Sequence, residues 1–142
     1  MDLNVFLAYE NLSSALFATE TLTSLSHRDP DGLILQLSPW SFAALVDPVR
    51  CALAAPDVGQ AQLVVIAAFG ASAPLPRPLE EWLRYCLERR GDERPAVVAF
   101  LTRNRRSERT ESPRRRSVER LAQETGCAFF CPGVARELGD LV

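Results

Sequence analysis

The stretch AQLVVIAAFGASAPLPRPLEEWLRYCLERRGDERPAVVAFLT, residues 61–102, contains the pattern that decides the fold. Its two ends, residues 61–70 and 95–102, are short apolar runs of the kind found in strands that are covered on both faces. Between them an apolar stripe recurs at helical spacing, formed by Leu79, Trp82, Leu83, Cys86 and Leu87. Pro78 suits the first turn of this helix, and Gly91 suits the left-handed position after its end. A strand, a helix and a second strand in this order predict a β-α-β unit with two parallel strands.

The same alternation continues on both sides of this unit. Further strands are predicted at residues 4–10, 32–38 and 127–133, and further helices at residues 11–25, 47–55, 112–126 and, as a short amphipathic segment, 133–142. We expect an α/β fold of three layers, in which a doubly wound sheet of five parallel strands, in the order 2-1-3-4-5, lies between helices. Right-handed crossovers and burial of both sheet faces leave few other arrangements. In this interpretation the 142 residues form one domain.

Three details of the pattern are specific enough to be checked. Pro39 is expected to end the second strand, because proline cannot donate a backbone hydrogen bond to the sheet. Asp47 and Pro48 predict the start of the next helix, and Pro56 is expected to end it. The buried side of the first helix is predicted to consist of the residues that recur there at helical spacing, namely Leu12, Ala15, Leu16, Thr19, Leu22 and Leu25.

The composition limits the location and the chemistry that come into question. No apolar run approaches the ~20 residues that span a bilayer, and the first residues lack the basic region of a secretory signal. These features predict a cytoplasmic protein without a membrane partner. The four cysteines form no CxxC pair, and His27 is the single histidine. We therefore expect reduced thiols, no metal site and no bound cofactor.

All sixteen basic residues are arginine, so the chain contains no lysine. This excludes Schiff-base chemistry, a lysine general base and the lysine of a P-loop. The glycine-rich phosphate-binding patterns GxGxxG and GxxxxGK[ST] are also absent from the sequence. The sequence thus rules out the commonest nucleotide-binding loops and every lysine-dependent enzyme.

A sheet with this strand order binds ligands in the crevice at the carboxyl ends of its first and third strands. The residues predicted to line that crevice are Glu10, Asn11, Gly70, Ser72 and Thr102. Glu10 is the one carboxylate among them, whereas paired acid-base catalysis takes two titrating groups. The simpler interpretation of Glu10 is a solvated acid near a helix start. The alternative is a binding protein or enzyme that takes a nucleotide or phosphorylated metabolite in this crevice.

Positive charge is concentrated in residues 103–120, which contain eight arginines against three glutamates, whereas the rest of the chain has eight arginines against fifteen acids. Three of these arginines fall in the first turn of a helix, where positive charge opposes the helix dipole, so an anion or an acidic partner is expected nearby. The candidate contacts are Arg103, Arg114, Arg115 and Arg116. The simpler alternative is a solvated, mobile loop at about residues 103–113. The acidic overall balance and the lack of interleaved aromatic residues argue against nucleic acid as the partner.

Two segments resemble parts of the receiver domain of two-component response regulators, which has the flavodoxin-like fold. PAVVAFLT, residues 95–102, is similar to the receiver's fourth strand, and Thr102 stands at the hydroxyl position that ends it. ETGCAFFCPG, residues 124–133, is similar to the segment around the fifth strand, where Pro132 matches the proline of a Lys-Pro pair. The resemblance implies a regulatory domain with the strand order already expected.

The chain departs from this resemblance at the residues that carry the receiver's chemistry. A receiver accepts phosphate on an aspartate at the end of its third strand, where this chain has Ala-Ala-Phe at residues 67–69. Cys131 stands at the position of the receiver's lysine, and Tyr9 and Glu10 stand where it has an acidic pair. Phosphorylation by the usual route is therefore not expected. The prediction is a non-catalytic, receiver-like regulatory or adaptor domain that contacts a protein partner or a second copy of itself as a homodimer.

Overall fold

The computed structural model of the protein describes the backbone of residues 2–69, 73–102 and 113–132, and all of their side chains except those of Phe69 and Thr102. Its helices and strands follow one another as β1 (Asp2–Tyr9), α1 (Leu12–His27), β2 (Ile34–Ser41), α2 (Phe42–Leu45), α3 (Pro48–Gln60), β3 (Leu63–Phe69), α4 (Arg77–Glu88), β4 (Ala96–Thr102), α5 (Pro113–Glu124) and β5 (Phe129–Phe130).

All five strands are parallel and belong to one sheet, in the order β2-β1-β3-β4-β5. The predicted topology is therefore confirmed, and the arrangement is that of a flavodoxin-like α/β domain. The register places Tyr9 of β1 beside Ala67 of β3, and Phe69 of β3 beside Thr102 of β4. The carboxyl ends of these three strands consequently meet at one edge of the sheet, where a doubly wound fold has its crevice.

Each face of the sheet has its own apolar core. Helices α2 to α5 cover one face, and the large buried side chains there include Phe6, Ile66, Leu79, Leu83 and Leu121. Helix α1 packs on the other face, in a smaller core that includes Val5, Leu7, Ala18, Leu22 and Phe100. Burial of both faces explains why the central strands read as continuous apolar runs rather than as alternating ones.

The predicted buried side of α1 was wrong except at Leu22. The residues that α1 buries are Ser14, Ala18, Leu22 and Ser26, whereas Leu12, Leu16 and Leu25 are 73%, 61% and 53% exposed. Small side chains face the sheet because the strands beneath already present large ones, and a helix can approach such a surface closely only through small residues. Ala15 and Thr19 lie between the two sides and are half-buried.

Both prolines that were expected to end an element lie inside one. Pro39 is part of β2, beside Leu7 of β1, and is tolerated because β2 is an edge strand. Pro56 lies on the exposed side of α3, which continues to Gln60. The helix continues because Val58 is fully buried in the core. Arg90 also holds its end, since its Nη1 donates to the backbone oxygens of Val58 at 2.8 Å and Ala61 at 2.6 Å.

Two other predictions fall on parts of the chain that are not described. The short helix at residues 133–142 lies outside the described residues, and so does nearly all of the mobile loop at about residues 103–113. Among the helices that the structure describes, none is both long and apolar enough to cross a membrane.

Candidate functional site

The crevice begins where β1 ends. The backbone N–H of Glu10 donates to the backbone oxygen of Ala67 at 2.9 Å, which joins the end of β1 to β3. Asn11 then begins α1, and its Oδ1 accepts hydrogen bonds from the backbone N–H of Ser14 at 2.9 Å and from the Ser14 hydroxyl at 3.1 Å. Asn11 is thus the N-cap of α1, which is the ordinary structural role of asparagine at this position.

Arg114 reaches into this crevice from the first turn of α5. Its Nη1 donates to Glu10 Oε2, and its guanidinium carbon lies 5.9 Å from the centroid of the Phe42 ring. The Arg114 side chain is only 6% exposed and that of Glu10 is 29% exposed. The structure therefore brings together two residues that the sequence analysis had assigned to different sites, the crevice and the arginine-rich segment.

This ion pair gives a physical reason for a cation at the start of α5. Positive charge near a helix N-terminus opposes the helix dipole and needs a compensating anion. Glu10 supplies that anion from the end of β1, 104 residues away in the chain.

Two further polar side chains at this edge of the sheet, those of Ser41 and Asp47, also serve the fold. Ser41, beside Tyr9 at the end of β2, caps α2 by accepting a hydrogen bond from the backbone N–H of Ala44 at 3.1 Å. Asp47 caps α3 by accepting from the backbone N–H of Val49 at 2.9 Å. With Asn11, three successive helices begin on a side chain from this edge. Acceptor groups that could have faced a ligand here are engaged by helix N-termini.

The end of β3 contributes no reactive group. Ala67 and Ala68 are both fully buried and present only methyl groups. Of the remaining candidate residues, Thr102 ends β4 opposite Phe69, and Gly70, Ser72 and Arg103 lie outside the described residues.

Arg115 and Arg116 follow Arg114 in α5, and are half-buried and exposed, respectively. Whether the four candidate arginines contact a partner or an anion stays a prediction.

A second charged cluster, between α4 and α5, was not anticipated from the sequence. Glu80 is 8% exposed, and its Oε1 accepts from Arg84 Nη2 at 3.3 Å and from Arg120 Nη2 at 3.2 Å. Arg84 also pairs with Glu124 at 2.8 Å. The spacing of Glu80 and Arg84, four residues apart on a helix, is a signal for their pairing. No local signal indicates the contacts to α5, because they depend on how the two helices pack.

The four cysteines differ in burial: Cys86 and Cys127 are buried, whereas Cys51 and Cys131 are half-buried. Burial raises the pKa of Cys86 to about 11, with a smaller contribution from the nearby Cys51, so this thiol is protonated at neutral pH. Within residues 2–69, 73–102 and 113–132, no group of three or more His, Cys, Asp or Glu side chains could hold a metal ion.

The strand order and the two helical layers define the class of this protein as a flavodoxin-like α/β domain. No protein-family model matches the chain, and no curated protein matches it in sequence.

Proposed function

We propose that this protein is a non-catalytic, receiver-like regulatory or adaptor domain that acts through protein contacts. The observation that carries the proposal is the ion pair between Arg114 and Glu10, in which an arginine of the chain itself binds the one carboxylate of the predicted crevice. In place of an exposed acid ready for a ligand, the crevice has an acid bound to a buried arginine. The domain accordingly resembles a receiver in which the acid at the end of the first strand is bound by an arginine of the same chain.

The carboxylate of Glu10 is already bound to Arg114, which limits its availability to a ligand. A ligand cation that needs Glu10 must displace the guanidinium of Arg114, a residue that is 5% exposed. Displacement would break the ion pair of this buried guanidinium, and breaking such a pair costs about 3 kcal/mol or more. A magnesium ion gives up its waters reluctantly, and it gains too little from one carboxylate to offset this cost.

The second supporting step concerns covalent chemistry. The receiver resemblance places the phosphate acceptor at the end of β3, and Ala67 and Ala68 have no side-chain oxygen or sulfur to accept a phosphoryl group. The described part of the crevice therefore favours a role in binding other proteins over a role in group transfer.

The test is a ligand and phosphorylation screen on the intact protein. The first arm measures thermal unfolding with nucleotides, flavins and sugar phosphates, and the second incubates the protein with acetyl phosphate or beryllofluoride and magnesium before intact-mass analysis. A ligand present at 100 times its Kd adds about 2.7 kcal/mol of stability, which is several degrees of Tm for a domain of this size. We expect no shift and no added mass.

A matched variant shows whether any response belongs to the crevice. Glu10→Gln keeps the shape of the side chain and removes its charge. A stabilisation by a small ligand that disappears in Glu10→Gln would overturn the proposal in favour of a ligand-binding crevice. A stable phosphoryl adduct on the wild-type chain would overturn it in favour of a working phosphate acceptor.

A further inference from the structure

We propose that the outward face of α3 binds a second copy of this chain, with the two α3 helices antiparallel about a two-fold axis. This inference rests on the proposed function, because a domain that acts through protein contacts needs a contact surface. The outward face of α3 is that surface, and the partner that binds it is a second copy of the chain. The surface is unrelated to the arginine-rich segment, which was the candidate from sequence.

The outward face of α3 is apolar where a surface helix is normally polar. Val49 and Leu53, four residues apart, are 71% and 66% exposed, and Val46, just before the helix, is 42% exposed. Val49 and Leu53, one helical turn apart, form one apolar patch on α3, and Val46 precedes the helix. On the opposite side, α3 buries only Ala54 and Val58. The helix therefore has a narrow buried face and a second apolar face directed at solvent, which is typical of an interaction site.

The charges beside this patch favour a second copy over an unrelated partner. Arg50 and Asp57 are two helical turns apart, so they lie on the same flank of α3. Along the helix axis, Arg50 lies about 4.5 Å before Leu53 and Asp57 lies about 6 Å after it. An antiparallel pair of α3 helices centred on Leu53 consequently places Arg50 opposite the partner subunit's Asp57, twice by symmetry. A parallel pair would place Arg50 and the partner subunit's Asp57 at different heights and on opposite sides of the contact, so no opposite charges would meet.

Both charges are available for this contact. No ion pair involving Arg50 or Asp57 occurs within the described part of the chain. Asp57 is held in place because its Oδ2 accepts a hydrogen bond from Trp40 Nε1 at 2.9 Å. The neighbouring strand β2 contains no charged residue that could repel a second copy. The oriented Asp57 and the exposed Arg50 lie on one side of α3, beside a strand without charged residues. They form a surface that is complementary to the same surface of a second copy.

The size of this surface sets the expected strength. The thirteen residues of α3 span about 20 Å. One face of a helix of this length buries less area than a standard interface, which buries about 800 Å² on each partner. We therefore expect a reversible dimer with a Kd on the order of micromolar. Such a dimer forms or dissociates with concentration, as suits a regulatory contact.

The first experiment measures mass against concentration by sedimentation velocity, from about 1 to about 300 μM, a range that brackets a micromolar Kd. The wild-type chain is expected to pass from 15.7 kDa to twice that mass. Leu53→Glu should raise the Kd at least tenfold, because it buries an unpaired charge at the centre of the contact. Leu12→Glu on α1 is the matched control, since Leu12 is an equally exposed leucine on a different face. It should leave the Kd unchanged.

The second experiment reverses the charges. Arg50→Glu alone should weaken self-association, because the introduced carboxylate would face the partner's Asp57, and Asp57→Arg alone should weaken it by placing two arginines together. A mixture of the two variants restores an opposite-charge pair at the contact, so it should form a heterodimer at least tenfold tighter than either variant with itself. Far-UV circular dichroism and Tm confirm that each variant is folded, and Asp57→Asn separates the loss of charge from the loss of the Trp40 contact.

The outcomes separate this inference from the proposed function. A chain that stays monomeric throughout the concentration range would overturn the inference and leave the ligand screen as the test of the crevice. A dimer broken by Leu12→Glu and not by Leu53→Glu would also overturn it, in favour of an interface on α1. A dimer that follows Leu53 but shows no recovery in the charge-reversal mixture would overturn the antiparallel arrangement.

Discussion

The two flanks of the molecule use their surfaces in opposite ways. On the flank formed by α1, β2 and α3, which we call the neutral flank, α1 has one charged residue among 16, β2 has none among 8 and α3 has two among 13. On the flank formed by α4 and α5, the charged flank, each helix has 12 residues, of which five and six, respectively, are charged. The exposed leucines belong to the first flank and the buried ion pairs to the second.

This difference indicates which flank has surface available to bind a partner. On the charged flank, Glu80 is already satisfied by Arg84 and Arg120, and Arg114 by Glu10, so these charges hold the fold together. On the neutral flank, large apolar side chains face solvent at a cost that burial against a partner would recover. Of the charges that the sequence analysis singled out, Glu10 and Arg114 thus bind each other inside the fold, whereas exposed apolar residues of the neutral flank face solvent.

Removal of a buried charge from the charged flank should have the largest effect on stability. Arg114→Met should destabilise the protein by about 3 kcal/mol, because it removes the buried guanidinium that pairs with the partly buried Glu10. Urea-induced unfolding measures the change. Arg116→Gln, two residues further along α5 and exposed, is the matched control and should stay within about 0.5 kcal/mol of wild type.

A double variant tests the cause of that loss. In Arg114→Met/Glu10→Leu both charges are gone, so most of the stability should return if the cost of the single variant is an uncompensated charge. Equal losses in the single and double variants would mean that Arg114 acts through its packing on Phe42 instead.

Two substitutions on α1 test the packing of the neutral flank. One enlarges a small buried side chain, and the other replaces a large exposed side chain by a small one. Ala18 is fully buried against the sheet, so Ala18→Leu should cost about 1–3 kcal/mol through overpacking. Leu16 is 61% exposed, and Leu16→Ser should change the free energy of unfolding by less than about 0.5 kcal/mol. Urea unfolding of both variants checks the assignment, and a larger loss at Leu16 than at Ala18 would contradict it.

The fold could be predicted from the sequence because its signals are local. Apolar runs separated by helical stripes indicate a parallel sheet, and the caps Asp47 and Asn11 mark helix starts through side chains that lie next to the backbone they bind. The side of α1 that is buried could not be predicted in this way. Leucines at helical spacing indicate an apolar stripe, but the size of the side chains on the strands decides which stripe can approach the sheet.

The site was less predictable for a related reason. Glu10 and Arg114 were each singled out by local chemistry, one as an acid after a strand and the other as a cation at a helix start. Their contact depends on the strand order, which places the start of α5 near the end of β1. Pairwise contacts of this kind, across 104 residues, follow only once the packing of the layers is known.

The smallest expected effect concerns the seam between the two flanks, where Cys86 of α4 is buried near Cys51 of α3. Burial raises the pKa of Cys86 from 9.0 to about 11 in the folded protein. Between these values the unfolded chain loses the thiol proton and the folded protein keeps it, so the unfolded state binds fewer protons and stability falls as pH rises. The contribution is fully present below pH 9 and is lost as the pH approaches about 11. Between pH 9 and 10 the loss should be on the order of 1 kcal/mol.

Urea unfolding at pH 8, 9 and 10 would measure this loss, in steps of about one pH unit that each correspond to at most 1.4 kcal/mol for one group. In Cys86→Ala the protein should be less stable at neutral pH because of the cavity, but its stability should decline less steeply above pH 9. Cys51→Ala is the control, since Cys51 is only half-buried and its replacement should leave the decline nearly unchanged. Parallel declines in wild type and Cys86→Ala would show that the seam does not titrate and that the alkaline loss belongs to other groups of the charged flank.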